Sequence, residues 1–189
     1  TRMRLRAESL EEGEERQKIL RDLHEMEHLV REGVAYARSA HGGAETPVRM
    51  DVKAFLESLV FDYQDIGKDV TLTESVGGAT MVRRQALRRV LGNLIDNAIK
   101  YGGSAEVSAR RNQEGVLCIA VCDRGPGIAE DQLEQVLQPF YRVEGSRNRD
   151  TGGAGLGLAI ATQLTRAIGG SLQLSNRHGG GLAAIVTLP

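Results

Sequence analysis

Three short motifs rich in asparagine and glycine constrain this 189-residue chain more than any other feature. Residues 93–101 read Asn-Leu-Ile-Asp-Asn-Ala-Ile-Lys-Tyr, residues 123–127 read Asp-Arg-Gly-Pro-Gly, and residues 153–158 read Gly-Ala-Gly-Leu-Gly-Leu. The first motif predicts a helix that carries Asn93 and Asn97 one turn apart on the same face. The third predicts a glycine loop leading into a helix, where free backbone N–H groups and the helix dipole attract phosphate. Together they predict a site for a phosphate-bearing ligand.

Asn97 is the candidate ligand for a magnesium ion. Its amide oxygen suits Mg²⁺, which takes few oxygens from a protein and keeps water and phosphate oxygens as its other ligands. Asn93 can hold a metal-bound water or supply a second ligand, and the ammonium of Lys100 can reach phosphate as a point charge. Without the glycine motifs, the two asparagines would be explained as buried or capping residues of an amphipathic helix.

In this order and at this spacing, the motifs resemble the ATP-binding domain of sensor histidine kinases, in the superfamily that also holds gyrase, Hsp90 and MutL. Residues 93–101 are similar to the N box of that family, 123–127 to its first glycine box, 137–142 to its F box and 153–158 to its second glycine box. The resemblance covers about residues 48–189. It implies an α+β fold, a two-layer α/β sandwich of the gyrase, Hsp90 and histidine kinase type, preceded by a fragment of a helical hairpin.

The resemblance also implies roles for single residues. Asn97, Lys100 and Arg142 would be catalytic, Arg142 by meeting the γ-phosphate when its loop closes, and Asn97 and Asn93 would hold the metal. Asp123 would accept a hydrogen bond from the exocyclic amine of adenine, although an ordinary Asp-Gly turn would explain this motif if it stood alone. The implied nucleotide-binding set is Asn93, Asn97, Lys100, Tyr101, Asp123, Gly125, Gly127, Ile128, Gly153, Gly155, Leu156, Gly157, Leu158 and Thr187. The implied cofactors are ATP and Mg²⁺.

One side chain separates this chain from ATP-hydrolysing relatives. Those relatives carry a water-activating glutamate four residues before the metal-binding asparagine, and this chain has Asn93 there. An amide is not a base, so Asn93 favours phosphoryl transfer to a protein acceptor over hydrolysis. An ATPase of the same superfamily and a non-catalytic nucleotide-binding module are the alternatives.

The first 41 residues differ in pattern from the rest of the chain. Apolar or small residues recur there at alternating steps of four and three, as in a helix that packs against other helices: Ile19, Leu23, Met26, Val30, Gly33 and Ala37. We predict a truncated dimerisation hairpin over 1–41 and a catalytic domain over 48–189. The resemblance places the phosphoacceptor histidine a few residues before Thr1, so we expect this chain to bind Mg·ATP without phosphorylating itself.

Hydrophobic periodicity predicts the elements of the catalytic domain. Strands are expected at 48–50, 70–73, 80–82, 105–111, 116–122, 171–175 and 182–188, with helices after Asp51, at 85–101, at about 130–137 and at 155–168. Asp51 is expected to cap the helix that follows it, and this helix is expected to bury Phe55, Leu59 and Ile66. Cys118 and Cys122 are predicted to be small core residues, since no neighbouring His or Cys completes a metal set.

Charge and hydropathy limit the partners. The formal net charge of -1 gives no electrostatic reason to expect nucleic acid or an anionic membrane. No apolar run approaches the ~18 residues that a membrane-spanning helix needs. The resemblance implies two partners, a second kinase subunit and the receiver domain of a response regulator, and a location in the cytoplasmic portion of an inner-membrane bacterial sensor. We expect no membrane contact by this part of it.

Residues 24–28 match a different signature, the H-E-x-x-H helix of zinc proteases. The apolar stripe already explains this helix as a packing element. Arg31 and Val34 stand where the longer form of the signature requires glycine and histidine. A zinc site is therefore the less favoured interpretation.

Overall fold

The computed structural model describes residues 13–39, 45–143 and 154–189. The expectations for residues 1–12, 40–44 and 144–153 lie outside the described part of the chain. Among them are the first helix of the predicted hairpin and Gly153 of the second glycine motif.

A five-stranded mixed sheet forms the body of the fold, and a separate pair of strands accompanies it. The helices are α1 (Glu14–Ser39), α2 (Val52–Asp65), α3 (Arg84–Gly102) and α4 (Gly157–Ala167), and the strands are β1 (Val48–Asp51), β2 (Val70–Glu74), β3 (Ala79–Val82), β4 (Ala105–Arg111), β5 (Leu117–Cys122), β6 (Ser171–Asn176) and β7 (Leu182–Leu188). The large sheet has the order β2-β4-β5-β7-β6, in which only β2 and β4 are parallel. Strands β1 and β3 pair with each other. The expected α+β architecture is confirmed.

Helix α3 is the central helix of the core, and its apolar face was predicted correctly. The buried residues of that face are Ala86, Leu87, Val90, Leu91, Leu94, Ile95 and Ala98. The carboxylate of Glu45 caps its first turn by accepting hydrogen bonds from the backbone N–H groups of Gln85 (2.9 Å) and Ala86 (3.0 Å). Burial of this face sets the rotation of the helix, and with it the direction in which Asn93 and Asn97 point.

Local capping was predicted well, and one helix was not. Asp51 caps α2 as expected, since its carboxylate accepts a hydrogen bond of 2.9 Å from the N–H of Ala54. Ile66 lies beyond the end of α2 and is 66% exposed, so its predicted burial is wrong. In place of a helix at about 130–137, the chain forms two short 3₁₀ turns, Glu130–Gln132 and Gln135–Leu137. Pro139 contributes to this outcome, because the residue before a proline avoids the helical region, and Gln138 is extended.

The two cysteines lie on the outward side of β5. Its buried side chains are Leu117, Ile119 and Val121, and alternation along the strand directs Cys118 and Cys122 to the opposite face. Both are free thiols of intermediate burial, so the prediction that they are core residues is wrong. Partial burial raises the pKa of the Cys122 thiol, so the thiol stays protonated at neutral pH.

Helix α1 lies against α4 and α3. The hydroxyl of Ser39, which is fully buried, donates to the backbone oxygen of Tyr36 and bonds the side chain of Gln163. The guanidinium of Arg89 donates to the backbone oxygen of Ala35. Within the described residues, much of the predicted packing stripe of α1 is exposed to solvent, including Met26 and Val30.

Candidate functional site

The two asparagines of α3 face the first residue of α4. A Cβ placed on Gly157 would lie 3.5 Å from Asn93 Oδ1 and 3.5 Å from Asn97 Nδ2. The Nδ2 of Asn93 donates to the backbone oxygen of Arg89 at 2.7 Å, which leaves Oδ1 directed toward the glycine loop. The structure therefore brings an amide pair that suits Mg²⁺ beside helix N–H groups that suit phosphate.

Arg142 lies against the second glycine loop, the described part of which is residues 154–158. The N–H of Phe140 donates to the backbone oxygen of Gly155 at 3.1 Å. A Cβ on Gly155 would come within 2.7 Å of the backbone oxygen of Tyr141 and 3.2 Å of Arg142 Cγ, and its φ is +72°. Only glycine allows this contact without strain, so the loop and Arg142 are held together by backbone geometry.

The carboxylate of Asp123 closes the turn formed by residues 123–127, the first glycine turn. Asp123 is only 8% exposed. Its Oδ1 accepts hydrogen bonds from the N–H groups of Gly125 (2.8 Å) and Leu182 (3.1 Å). Both of these bonds are made by Oδ1, so Oδ2 is the oxygen that can accept from a ligand. A buried carboxylate held in this way is suited to recognise an amine of a base.

The end of α3 lies against the same turn. A Cβ on Gly102 would come within 2.6 Å of Asp123 Cβ, and one on Gly125 would come within 2.7 Å of the backbone oxygen of Tyr101. The ammonium of Lys100 lies 4.9 Å from the centre of the Tyr101 ring, a cation–π contact at the same end of the helix. The first glycine turn, Tyr101 and Lys100 are therefore neighbours.

The structure thus assembles most of the predicted site, from helix, turn and loop. Leu156 is fully buried, and Leu158 packs against the core in the first turn of α4. Gly127, with a φ of +74°, and Ile128 continue the turn that begins at Asp123.

Thr187 is the exception, and its prediction as a nucleotide contact is corrected. It pairs with Cys118 of β5, which lies five residues before Asp123 in the chain. Its neighbours Val186 and Leu188 are buried, so its side chain is on the other face of the sheet.

Four residues that contact the site were not predicted. Arg177 bonds the backbone oxygen of Asp123 and the carboxylate of Glu106, and Asn176 bonds the backbone of Ile128 beside the first glycine turn. Glu32 of α1 bonds the second glycine loop. An Asn-Arg pair that only His178 separates from three consecutive glycines was a weak signal for Asn176 and Arg177. Nothing local in the sequence marks Glu106 or Glu32.

Gly181 provides a stability test of the contact between the β6–β7 turn and Asp123. A Cβ on Gly181 would collide with the backbone oxygen of Asp123, and its φ is +96°. We expect Gly181→Ala to lower the free energy of unfolding by about 3 kcal/mol, from the left-handed conformation and the overlap together. Gly179→Ala is the matched control, since its φ is +92° with open space around it, and should cost about 1 kcal/mol. Urea unfolding of both variants measures the difference, and equal losses would contradict the predicted overlap.

The metal-protease signature lies on α1. His24 is exposed on α1. Among residues 13–39, 45–143 and 154–189, no group of three or more His, Cys, Asp or Glu side chains could hold a metal ion. Among the same residues, no helix has the length and apolar character to cross a membrane.

Comparison with known proteins gives consistent matches. The profile of the family described as "Histidine kinase-, DNA gyrase B-, and HSP90-like ATPase" matches residues 82–189. The sensor histidine kinase GtrS of Pseudomonas aeruginosa is 37% identical over 194 aligned residues, which cover 100% of this chain and 38% of GtrS. The chain thus spans about two fifths of that relative.

Solved structures match as well. The ATP-binding domain of PrrB from Mycobacterium tuberculosis is 28% identical, with a TM-score of 0.62, over 77% of this chain and 98% of that one. Full-length ShkA in complex with AMPPNP gives a TM-score of 0.74 at 24% identity, over 100% of this chain and 41% of that one, and this likeness concerns the fold.

Proposed function

Because the chain belongs to the histidine kinase-, DNA gyrase B- and HSP90-like ATPase family, we propose that it is the ATP-binding catalytic part of a sensor histidine kinase. The parent protein would transfer the γ-phosphoryl group of ATP to a histidine, from which an aspartate of a response regulator would take it. The observation that carries the proposal is the position of Asn93 and Asn97 against the N-terminus of α4, with Asp123 buried in the neighbouring turn. One end of this site fits phosphates and magnesium, and the other fits adenine.

Each side chain has a task in this proposal. The Oδ1 atoms of Asn97 and Asn93 would hold Mg²⁺, which when bound neutralises charge on the phosphates. Lys100 and Arg142 would stabilise negative charge on the transferred group. Asn93 cannot take a proton from water, which favours transfer over hydrolysis. Catalysis by this chain is then mainly positioning and charge stabilisation.

We further propose that residues 13–39 belong to a dimerisation hairpin and that the partner subunit is a second copy of the parent protein. The exposed apolar side chains of α1 support this, since an unpartnered stripe at heptad spacing suits another helix. The parent would reside at the inner membrane of a bacterium, with this part in the cytoplasm.

Phosphate labelling tests the proposed reaction. A longer version of the protein that includes the upstream histidine should acquire radiolabel from γ-labelled ATP in the presence of Mg²⁺, and its Asn97→Ala variant should not. Label on that variant after mixing with the present chain would indicate transfer between subunits. ATP binding without label would favour the non-catalytic module, and steady phosphate release without label would favour the ATPase.

The contact of Glu32 with the second glycine loop leads to a separate prediction. The N–H of Ala154 donates to Glu32 Oε2 at 2.7 Å, so a carboxylate of α1 uses a backbone donor in the loop proposed to bind phosphate. Bound phosphate would compete with this carboxylate for the donor. We expect Glu32→Gln to tighten ATP binding about 3- to 10-fold, because the charge-assisted hydrogen bond is weakened and a like charge is removed.

Calorimetric titration of ATP into the variant measures this effect. Asp22→Asn, an exposed change on the same helix, is the control and should leave the affinity unchanged. Unchanged or weaker binding by Glu32→Gln would contradict competition. Tighter binding would also support coupling between bound nucleotide and the position of α1.

A further inference from the structure

The turn between β6 and β7 holds the loop of residues 123–128 at both of its ends. Asn176 and Arg177, adjacent in sequence, supply the side-chain contacts. The loop joins β5 to the first 3₁₀ turn and contains the proposed adenine-recognising carboxylate of Asp123. Asn176 and Arg177 therefore touch the proposed base-binding end of the site, although neither residue belongs to the motifs that predicted it.

Arg177 fixes the first end of the loop. Its Nη1 donates to the backbone oxygen of Asp123 at 2.8 Å, and its Nη2 pairs with Glu106 Oε2 at 2.9 Å. Glu106 in turn holds Arg124 through its other oxygen. The hydrogen bond from Arg124 and the charge of Arg177 lower the pKa of Glu106 despite its partial burial, so its carboxylate is ionised at neutral pH and keeps Arg177 in place.

Asn176 fixes the other end. Its Oδ1 accepts from the N–H of Ile128 at 2.9 Å, and its Nδ2 donates to the backbone oxygen of the same residue at 2.6 Å. The Nδ2 also reaches Glu130 Oε1 at 3.0 Å. Gly127 makes this approach possible, since a Cβ there would come within 2.6 Å of Asn176 Oδ1. Both polar groups of one backbone position are thus paired with one side-chain amide.

The start of β7 adds a third attachment. Asp123 and Leu182 exchange backbone and side-chain bonds: the N–H of Asp123 donates to the oxygen of Leu182 at 2.9 Å, and the N–H of Leu182 donates to Asp123 Oδ1 at 3.1 Å. These bonds set the direction of the carboxylate. They depend on the register of the hairpin, which Arg177 and Asn176 connect to the loop.

We propose that Asn176 and Arg177 are positioning residues for the nucleotide base, which fix the loop of residues 123–128 so that Asp123 discriminates adenine from other bases. The inference rests on the proposed function, because it assigns Asp123 to adenine. A loose loop would still let the phosphate end of the site bind any nucleoside triphosphate. Selectivity for the base is therefore the property that depends on the hairpin.

Arg124 provides a matched control for Arg177. Both guanidiniums pair with Glu106, but the guanidinium of Arg124 donates its hydrogen bonds to that carboxylate and its side chain is 74% exposed. Arg124→Met and Arg177→Met thus remove the same charge from the same acidic partner. Only the second removes the bond to the loop backbone.

The test measures dissociation constants for ATP and GTP by calorimetric titration of the chain and its variants. We expect Arg177→Met to weaken ATP binding about 10-fold and GTP binding by less than about 2-fold, while Arg124→Met changes neither by more than about 2-fold. Asn176→Ala should lower the ATP-over-GTP preference in the same way. Asn176→Asp keeps the acceptor for the N–H of Ile128 but loses the donor to its oxygen, so its effect should be intermediate. This variant replaces Asn176→Ala in the test if the alanine variant does not fold.

Two results would overturn the inference. Equal effects of Arg177→Met and Arg124→Met would mean that only the charge near Glu106 matters. Equal weakening of ATP and GTP would mean that the hairpin supports the fold in general. Asp123→Asn separates this failure from failure of the proposed function: if that change leaves ATP binding intact, the site assignment itself is wrong.

Discussion

Replacing Asn97 by alanine is expected to weaken Mg·ATP binding by roughly 30- to 150-fold, equivalent to about 2–3 kcal/mol. The change removes the oxygen proposed as the metal ligand, so Mg²⁺ and the phosphates would be held less firmly at α3. Titration of ATP with and without Mg²⁺ measures the effect. The variant should lose most of the dependence of ATP affinity on Mg²⁺ that the unchanged chain shows.

Asp96 offers a control on the adjacent residue. Its Oδ1 accepts a hydrogen bond of 2.9 Å from the hydroxyl of Tyr63 on α2, away from the glycine loop. Burial and this contact raise the pKa of Tyr63, so the hydroxyl stays protonated and remains the donor at neutral pH. Asp96→Asn keeps an acceptor there and should leave Mg·ATP binding unchanged. If Asn97→Ala binds ATP as well as this control does, the metal assignment fails.

Replacing Asp123 by asparagine is expected to weaken ATP binding by about 30- to 100-fold and to remove most of the preference for ATP over GTP. Asparagine has nearly the same shape, but it exchanges one acceptor oxygen for an amide donor and loses the charge. If the remaining oxygen keeps the bonds to Gly125 and Leu182, a donor faces the exocyclic amine of adenine. A site built to accept a hydrogen bond loses strongly when the acceptor is gone.

Competition between ATP and GTP for a fluorescent nucleotide measures both quantities. Asp131→Asn, an exposed change in the following 3₁₀ turn, is the control. Thermal unfolding of the variants without nucleotide shows whether the turn still closes. A variant that keeps its preference for ATP would exclude Asp123 from base recognition.

Residues of the site that depend on one helix or one turn were predictable from the sequence. Asn93 and Asn97 share a face because four residues make one helical turn, and the apolar residues between them fix which face is buried. The turn after Asp123 follows from Gly125, Pro126 and Gly127, which come shortly after the end of an apolar strand. In both cases the determining interactions lie within a few residues.

Residues that depend on the arrangement of distant elements were missed or misplaced. Thr187 was assigned to the site, but the alternation of β7 turns it to the other face. Asn176, Arg177 and Glu32 were not recognised, because their partners are 48, 54 and 122 residues away in the chain. No local periodicity encodes such pairs.

The sequence by itself determined most of the helices and strands, the phase of α3 and the glycine motifs, since these follow from local backbone preferences and from the period of apolar residues. Only the tertiary structure decided which parts of the chain hold the two glycine motifs in place. The β6–β7 hairpin lies on the first motif and α1 on the second, and both contacts are set by sheet register and helix packing over long separations. A hydrogen bond between distant residues forms only once the core has brought their backbones together.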